Sequence, residues 1–120
     1  MIKYSISNNT YNLTVSDHGA EITSLIKDGR ELMWQADPAF WGRTSPVLFP
    51  LVGNYWEKKS RFAGQTYEMG QHGFARDMDF LLVSETDDEL VLSLGTMKPH
   101  MKNIRFRLCF ALDTSLMLTE

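Results

Sequence analysis

Ile104-Arg105-Phe106-Arg107-Leu108-Cys109-Phe110-Ala111-Leu112 is the stretch that decides the fold class. Ile104, Phe106, Leu108, Phe110 and Leu112 fall on one face of a period-two chain, with Arg105, Arg107, Cys109 and Ala111 on the other. Strict alternation suits a half-buried β-strand, whereas a helix needs apolar residues three and four positions apart. The second face is therefore partly polar.

The same period continues outward from this strand. Residues 80–84 and 90–94 read as strands, joined by the acidic turn Glu85-Thr86-Asp87-Asp88-Glu89, and residues 95–103 connect them to the strand above. Further back, Arg61-Phe62 and Thr66-Tyr67-Glu68 flank Ala63-Gly64-Gln65, a hairpin with glycine in its turn. The first 27 residues give three more strands. Ile2, Tyr4 and Ile6 alternate, as do Leu13 and Val15 after Asn8-Asn9-Thr10. Residues 21–27 then place Ile22, Ser24 and Ile26 on one face and Thr23 and Leu25 on the other, before the turn Asp28-Gly29-Arg30-Glu31. Beyond Leu112, Asp113-Thr114-Ser115 reads as a turn and residues 116–120 as the start of another strand. A pattern still running at Glu120 reads as an interrupted chain, although a C-terminal edge strand would look the same.

Residues 33–54 break the pattern. They hold Trp34, Phe40, Trp41, Phe49 and three of the four prolines, and Pro38, Pro46 and Pro50 exclude a long helix or a central strand. A packed loop framing a pocket is expected there, with a short strand around residues 47–49 and its aromatics in the core.

Composition bounds the function classes. The chain has 120 residues, 43% hydrophobic and 22% charged, enough for one globular domain and too apolar for a disordered one. A net charge of −3 and a pI near 5.6 leave no basic footprint for nucleic acid. No apolar run nears the roughly 20 residues that span a bilayer, and the N-terminus lacks the apolar stretch of a signal peptide, so no membrane partner and a cytoplasmic location are expected. The single Cys109 agrees, since it has no internal disulfide partner. It has no nearby base in sequence that would make it a nucleophile. His18 and His100 stand at no metal-ligand spacing with Cys109, so neither metal nor other cofactor is expected; His18 reads as a turn residue. Asp87-Asp88-Glu89 reads as a solvated turn tip rather than a catalytic pair.

Gln71-His72-Gly73-Phe74-Ala75-Arg76-Asp77 carries the site chemistry. An imidazole and a guanidinium stand four residues apart in a turn-like stretch. Gly73 permits close backbone approach, and an arginine fork suits phosphate or vicinal hydroxyls. A local reading stands beside each candidate: His72 bonding its own loop, Arg76 pairing with Asp77 or Asp79, and Arg43 stacking on Trp41 or meeting a carboxylate within its loop.

Four ordered stretches resemble the aldose 1-epimerase (galactose mutarotase-like) superfamily, in the branch of aldose 1-epimerase-like proteins that includes the hexose-6-phosphate mutarotases. They are His18-Gly19-Ala20-Glu21-Ile22, Glu31-Leu32-Met33-Trp34-Gln35, Trp41-Gly42-Arg43-Thr44-Ser45-Pro46-Val47-Leu48-Phe49-Pro50-Leu51-Val52-Gly53, and the His72 segment. The resemblance implies an all-β fold, a large antiparallel β-sandwich of which residues 1–120 form a single domain, the N-terminal part. It further implies interconversion of α and β anomers of a hexose or hexose phosphate. An acid protonates the ring oxygen while a base deprotonates the anomeric hydroxyl, and the opened ring recloses on its other face.

In the family that acid is a histidine and that base a glutamate, both later in a chain roughly twice this long. No catalytic residue is therefore expected among these 120. What carries over is substrate binding by Arg43, Gln71, His72 and Arg76, with a sugar or sugar phosphate as partner. A carbohydrate-binding or sensing domain on the same scaffold is the alternative, and a β-domain with no ligand a third. Sheet edges left open in such a part would promote homo-oligomers.

Overall fold

A computed structural model describes residues 1–95 and 105–113. Among the described residues nine strands follow one another: β1 (Lys3–Ser7), β2 (Tyr11–Ser16), β3 (Glu21–Lys27), β4 (Arg30–Glu31), β5 (Lys59–Phe62), β6 (Gln65–Glu68), β7 (Leu81–Glu85), β8 (Glu89–Gly95) and β9 (Arg105–Ala111). They form three antiparallel sheets, β1-β2-β3-β4, β5-β6 and β7-β8-β9. The only helical pieces among the described residues are single 3-10 turns at Trp56–Lys58 and Ala75–Asp77, so none is long and apolar enough to cross a membrane.

Local chemistry explains the hairpins. The Asn8 side chain accepts from the amides of Thr10 and Tyr11, closing the β1–β2 turn. Ala63-Gly64 and Asp28-Gly29 both take positive φ at two successive residues, the geometry that matches strand twist in two-residue turns. Arg30 and Glu31 were expected in the turn, but they pair back on Lys27 and Ile26 as β4. The Glu31 carboxylate then accepts from Ser24 Oγ (2.6 Å) and the Leu25 amide (2.9 Å), tying β4 to β3.

One core lies between the first and last sheets. Ile6, Leu13, Val15 and Leu25 from one, and Leu90, Leu92, Leu94 and Phe110 from the other, are buried together. In β9 the expected alternation holds: Phe110 is buried and Phe106 and Leu108 are half-buried, while Arg105 and Arg107 are exposed. In β3 the better-buried residue is Leu25 rather than Ile22 or Ile26. The β2–β3 register runs from Thr14↔Ser24 to Val15↔Ile22 and so skips Thr23, and such a bulge re-aims the side chains beside it.

The 33–54 segment departs from expectation in two ways. Residues 47–49 form no strand, and Phe49 makes only an isolated bridge to Gly73. Of its aromatics Phe49 alone packs on the core, stacked on Phe106 at 4.0 Å. Trp34, Phe40 and Trp41 are exposed, with Phe40 80% accessible. Trp34 instead donates from Nε1 to the Trp41 carbonyl, so these rings organise the loop from outside the core. The turn and strand expected over residues 114–120, and most of the 95–103 connection, lie outside the described residues.

Candidate functional site

Three irregular segments meet beside the core: the turn after β2, the proline-rich stretch ending at Gly53, and residues 71–80. His72 and Gly73 both adopt left-handed backbone, φ 62 and 75. For Gly73 glycine is required twice over, because a methyl group there would overlap the Phe49 carbonyl. That close approach lets the Phe49 carbonyl accept from both the Phe74 amide (3.0 Å) and the Ala75 amide (3.1 Å).

His72 is fixed to the proline-rich stretch by a reciprocal pair. Its amide donates to the Gly53 carbonyl (2.7 Å), and the Gly53 amide donates to His72 Nδ1 (2.8 Å). With Nδ1 acting as acceptor, the neutral ring carries its hydrogen on Nε2, which becomes the donor available to a ligand. The bond expected within its own loop is not what holds Nδ1: its partner is Gly53, 19 positions back in the proline-rich stretch.

Gly19 fits the turn after β2 against the other side. A β-carbon on it would stand 2.6 Å from the Arg76 carbonyl, and its amide donates to the Met78 carbonyl (2.7 Å). His18, the turn residue expected, also pairs through Nδ1 with Asp79 Oδ1 at 2.8 Å.

Arg43 is held at both ends. Behind it, Glu21 Oε1 accepts from the amides of Thr44 (2.8 Å) and Ser45 (3.0 Å) and from Thr44 Oγ1. Its guanidinium donates from Nη2 to Asp77 Oδ1 at 2.7 Å. Arg76 reaches the same carboxylate more loosely, with Nε 3.9 Å from Asp77 Oδ2, while its Nη2 donates to the Gln71 carbonyl at 3.1 Å. Arg76 Nε is buried with no hydrogen-bond partner among the described residues. Gln71 is exposed.

Asp77 therefore sits between two arginines. The Arg43 hydrogen bond is the main reason its carboxyl lies below the usual 3.8; partial burial opposes this, and the charges of Arg43, Arg76 and His18 add to it. Cys109 is raised above its usual 9.0, chiefly by burial and then by the Glu89 charge, which disfavours a thiolate.

Of the four residues proposed from the sequence, the structure gathers Arg43 and Arg76 at Asp77 and ties Arg76 to the Gln71 carbonyl, while His72 is held at Gly53; the sequence left Asp77 as an optional partner of Arg76. The Arg43–Asp77 bond joins positions 34 apart, and the Glu21 clamp spans more than 20, so no local pattern signals either. A shallow depression of about 160 Å³ beside the cluster is lined by Lys3, His18, Glu21 and Arg43 among others; Gln71, His72 and Arg76 lie outside it. It is smaller than the roughly 300–1,000 Å³ of a typical ligand pocket.

The fold and this turn cluster define a mutarotase-like antiparallel β-protein. The sequence pattern of the aldose 1-epimerase family matches residues 3–119, and the chain belongs to that family. It is similar to a galactose mutarotase related enzyme from Lactobacillus acidophilus, with a TM-score of 0.85 and 38% identity over 93% of this chain and 39% of that one. A galactose mutarotase-like protein from Lactobacillus casei gives a TM-score of 0.85 at 29% identity, over 94% of this chain and 40% of that one. Protein LacX of Lactococcus lactis is 34% identical over 63% of this chain and 27% of its own length. The chain thus spans well under half the length of these relatives.

Proposed function

We propose that residues 1–120 form one domain, the N-terminal, substrate-holding part of an isomerase that interconverts the α and β anomers of a hexose or hexose phosphate in the cytoplasm. Arg43, Gln71, His72 and Arg76 contact the sugar. The observation that carries this reading is the shared anchoring of Arg43 and Arg76 on Asp77 beside a His72 whose Nε2 is left as donor. Guanidinium N–H groups and a neutral imidazole N–H match hydroxyl or phosphate oxygens.

None of the four is assigned the proton transfers. His72 Nδ1 is engaged by Gly53, and each arginine stays protonated throughout. Their role is to hold the ring while an acid and a base, which the family resemblance implies are supplied outside these residues, act on the ring oxygen and the anomeric hydroxyl.

The same anchoring suits a carbohydrate-binding or sensing module, which holds a sugar without turnover. Magnetisation-transfer NMR on glucose, galactose and their 6-phosphates separates the two, using the natural full-length polypeptide. Accelerated anomer exchange is expected for at least one sugar. Binding without acceleration would leave the module reading, and no binding to any of the four would remove both.

A further inference from the structure

Asp77 holds two arginines unequally. Its Oδ1 takes the Arg43 Nη2 hydrogen bond at 2.7 Å, while its Oδ2 stands 3.9 Å from Arg76 Nε, close enough for charges to attract and too far for a hydrogen bond. Arg76 Nε is buried without a hydrogen-bond partner among the described residues, and its Nη2 is taken by the Gln71 carbonyl. One carboxylate against two guanidiniums leaves a positive charge uncancelled, and the looser contact leaves more of it on Arg76. The Arg43 bond keeps the Asp77 carboxyl below 3.8, so it is an anion at neutral pH. Two residues on, Asp79 pairs with His18 at 2.8 Å and adds a second carboxylate nearby.

From this unequal sharing we infer that Asp77 is a positioning residue that sets specificity, fixing how far the site favours a neutral hexose over a hexose phosphate. The inference rests on sugar binding by Arg43 and Arg76. A hydroxyl meets an arginine through directed hydrogen bonds, so it gains from the orientation that the Arg43–Asp77 bond imposes and loses little to the carboxylate's charge. A phosphate group carries roughly −1.5 to −2 at neutral pH, and the carboxylate repels it from the far side of the same guanidiniums. Asp77 therefore acts on the two ligands in opposite senses, through the arginines and without touching the sugar.

The test titrates glucose, galactose and their 6-phosphates calorimetrically into the natural full-length polypeptide as wild type, Asp77→Asn and Asp77→Glu. Asp77→Asn keeps the shape and removes the charge. Its ratio of 6-phosphate to hexose affinity should rise at least about threefold at low salt, the effect of one unit charge about 6 Å away in water. The rise should shrink at high salt. Asp77→Glu keeps the charge and should hold the ratio nearer to that of wild type, a contrast that a merely structural role would not produce. A 6-phosphate bound by Asp77→Asn alone would also support the inference. An unchanged or lower ratio in Asp77→Asn overturns it while sugar binding stands, as does an equal rise in Asp77→Glu. If neither wild type nor Asp77→Asn binds any of the four sugars, the sugar-holding role of the arginines falls, and this inference with it.

Discussion

Arg43 Nη2 and Asp77 Oδ1, 34 residues apart in sequence, are 2.7 Å apart in the fold. The bond joins the proline-rich stretch to the His72 turn and brings Arg43 to the carboxylate beside Arg76. Because the folded carboxyl is depressed below 3.8, its contribution to stability is fully present above that value and is lost as pH falls through the folded value. The Asp77 side chain is 55% accessible, so solvent screening keeps the pair within about 0–1 kcal/mol. Denaturation of wild type and Asp77→Asn should differ slightly at pH 6, and the difference should shrink as pH falls below 3.8 toward the depressed folded value. A difference that grows on acidification would contradict the assignment.

Gly73 and Gly64 both have φ near +75, yet only Gly73 has backbone against it. Gly64→Ala should cost about 1–2 kcal/mol, the penalty of a left-handed non-glycine residue. Gly73→Ala adds the collision with the Phe49 carbonyl and should exceed about 3 kcal/mol, or prevent folding. Urea unfolding of the two variants side by side measures the contrast; equal losses would mean that the Phe49–Gly73 contact tolerates displacement.

Removing the Glu21 carboxylate leaves two half-buried amides and the Thr44 hydroxyl without this acceptor. Glu21→Ala should therefore destabilise the chain by about 1–3 kcal/mol. Amide shifts should change most at Thr44 and Ser45 and extend to Asp77 through Arg43. Changes confined to β3 would argue that Glu21 does not position the arginine.

For the sugar, the double variant His72→Ala, Arg76→Ala should weaken binding about 5- to 150-fold, since each residue supplies a donor worth roughly 0.5–1.5 kcal/mol. Calorimetric titration of hexoses and hexose 6-phosphates is the measurement. Wild-type affinity in the double variant would withdraw both residues from the site.

Much of the fold was legible because period-two alternation acts residue by residue. It marked strands at β1 to β3 and β5 to β9, and glycine marked the turns at Gly29 and Gly64. Short-range rules misjudged Arg30-Glu31, because the choice between turn and ladder was made by the Glu31 carboxylate reaching Ser24 and Leu25. The aromatic loop was misjudged for a related reason: hydrophobicity predicts that a ring seeks cover, not whether a neighbouring element supplies it. Phe49 found Phe106, whereas Phe40 meets Trp34 and stays 80% accessible.

By itself the sequence determined the β class and the family, since each depends on residue type and on short ordered stretches, and through that family it offered Arg43, Gln71, His72 and Arg76 as candidates to hold a sugar. Tertiary structure alone decided how those residues stand. It set His72 Nδ1 against the Gly53 amide, gave Arg43 and Arg76 a common carboxylate, and placed Gly73 where no β-carbon fits. Those relations join positions up to 34 residues apart. Their geometry follows from how sheets and loops pack, which no local pattern encodes.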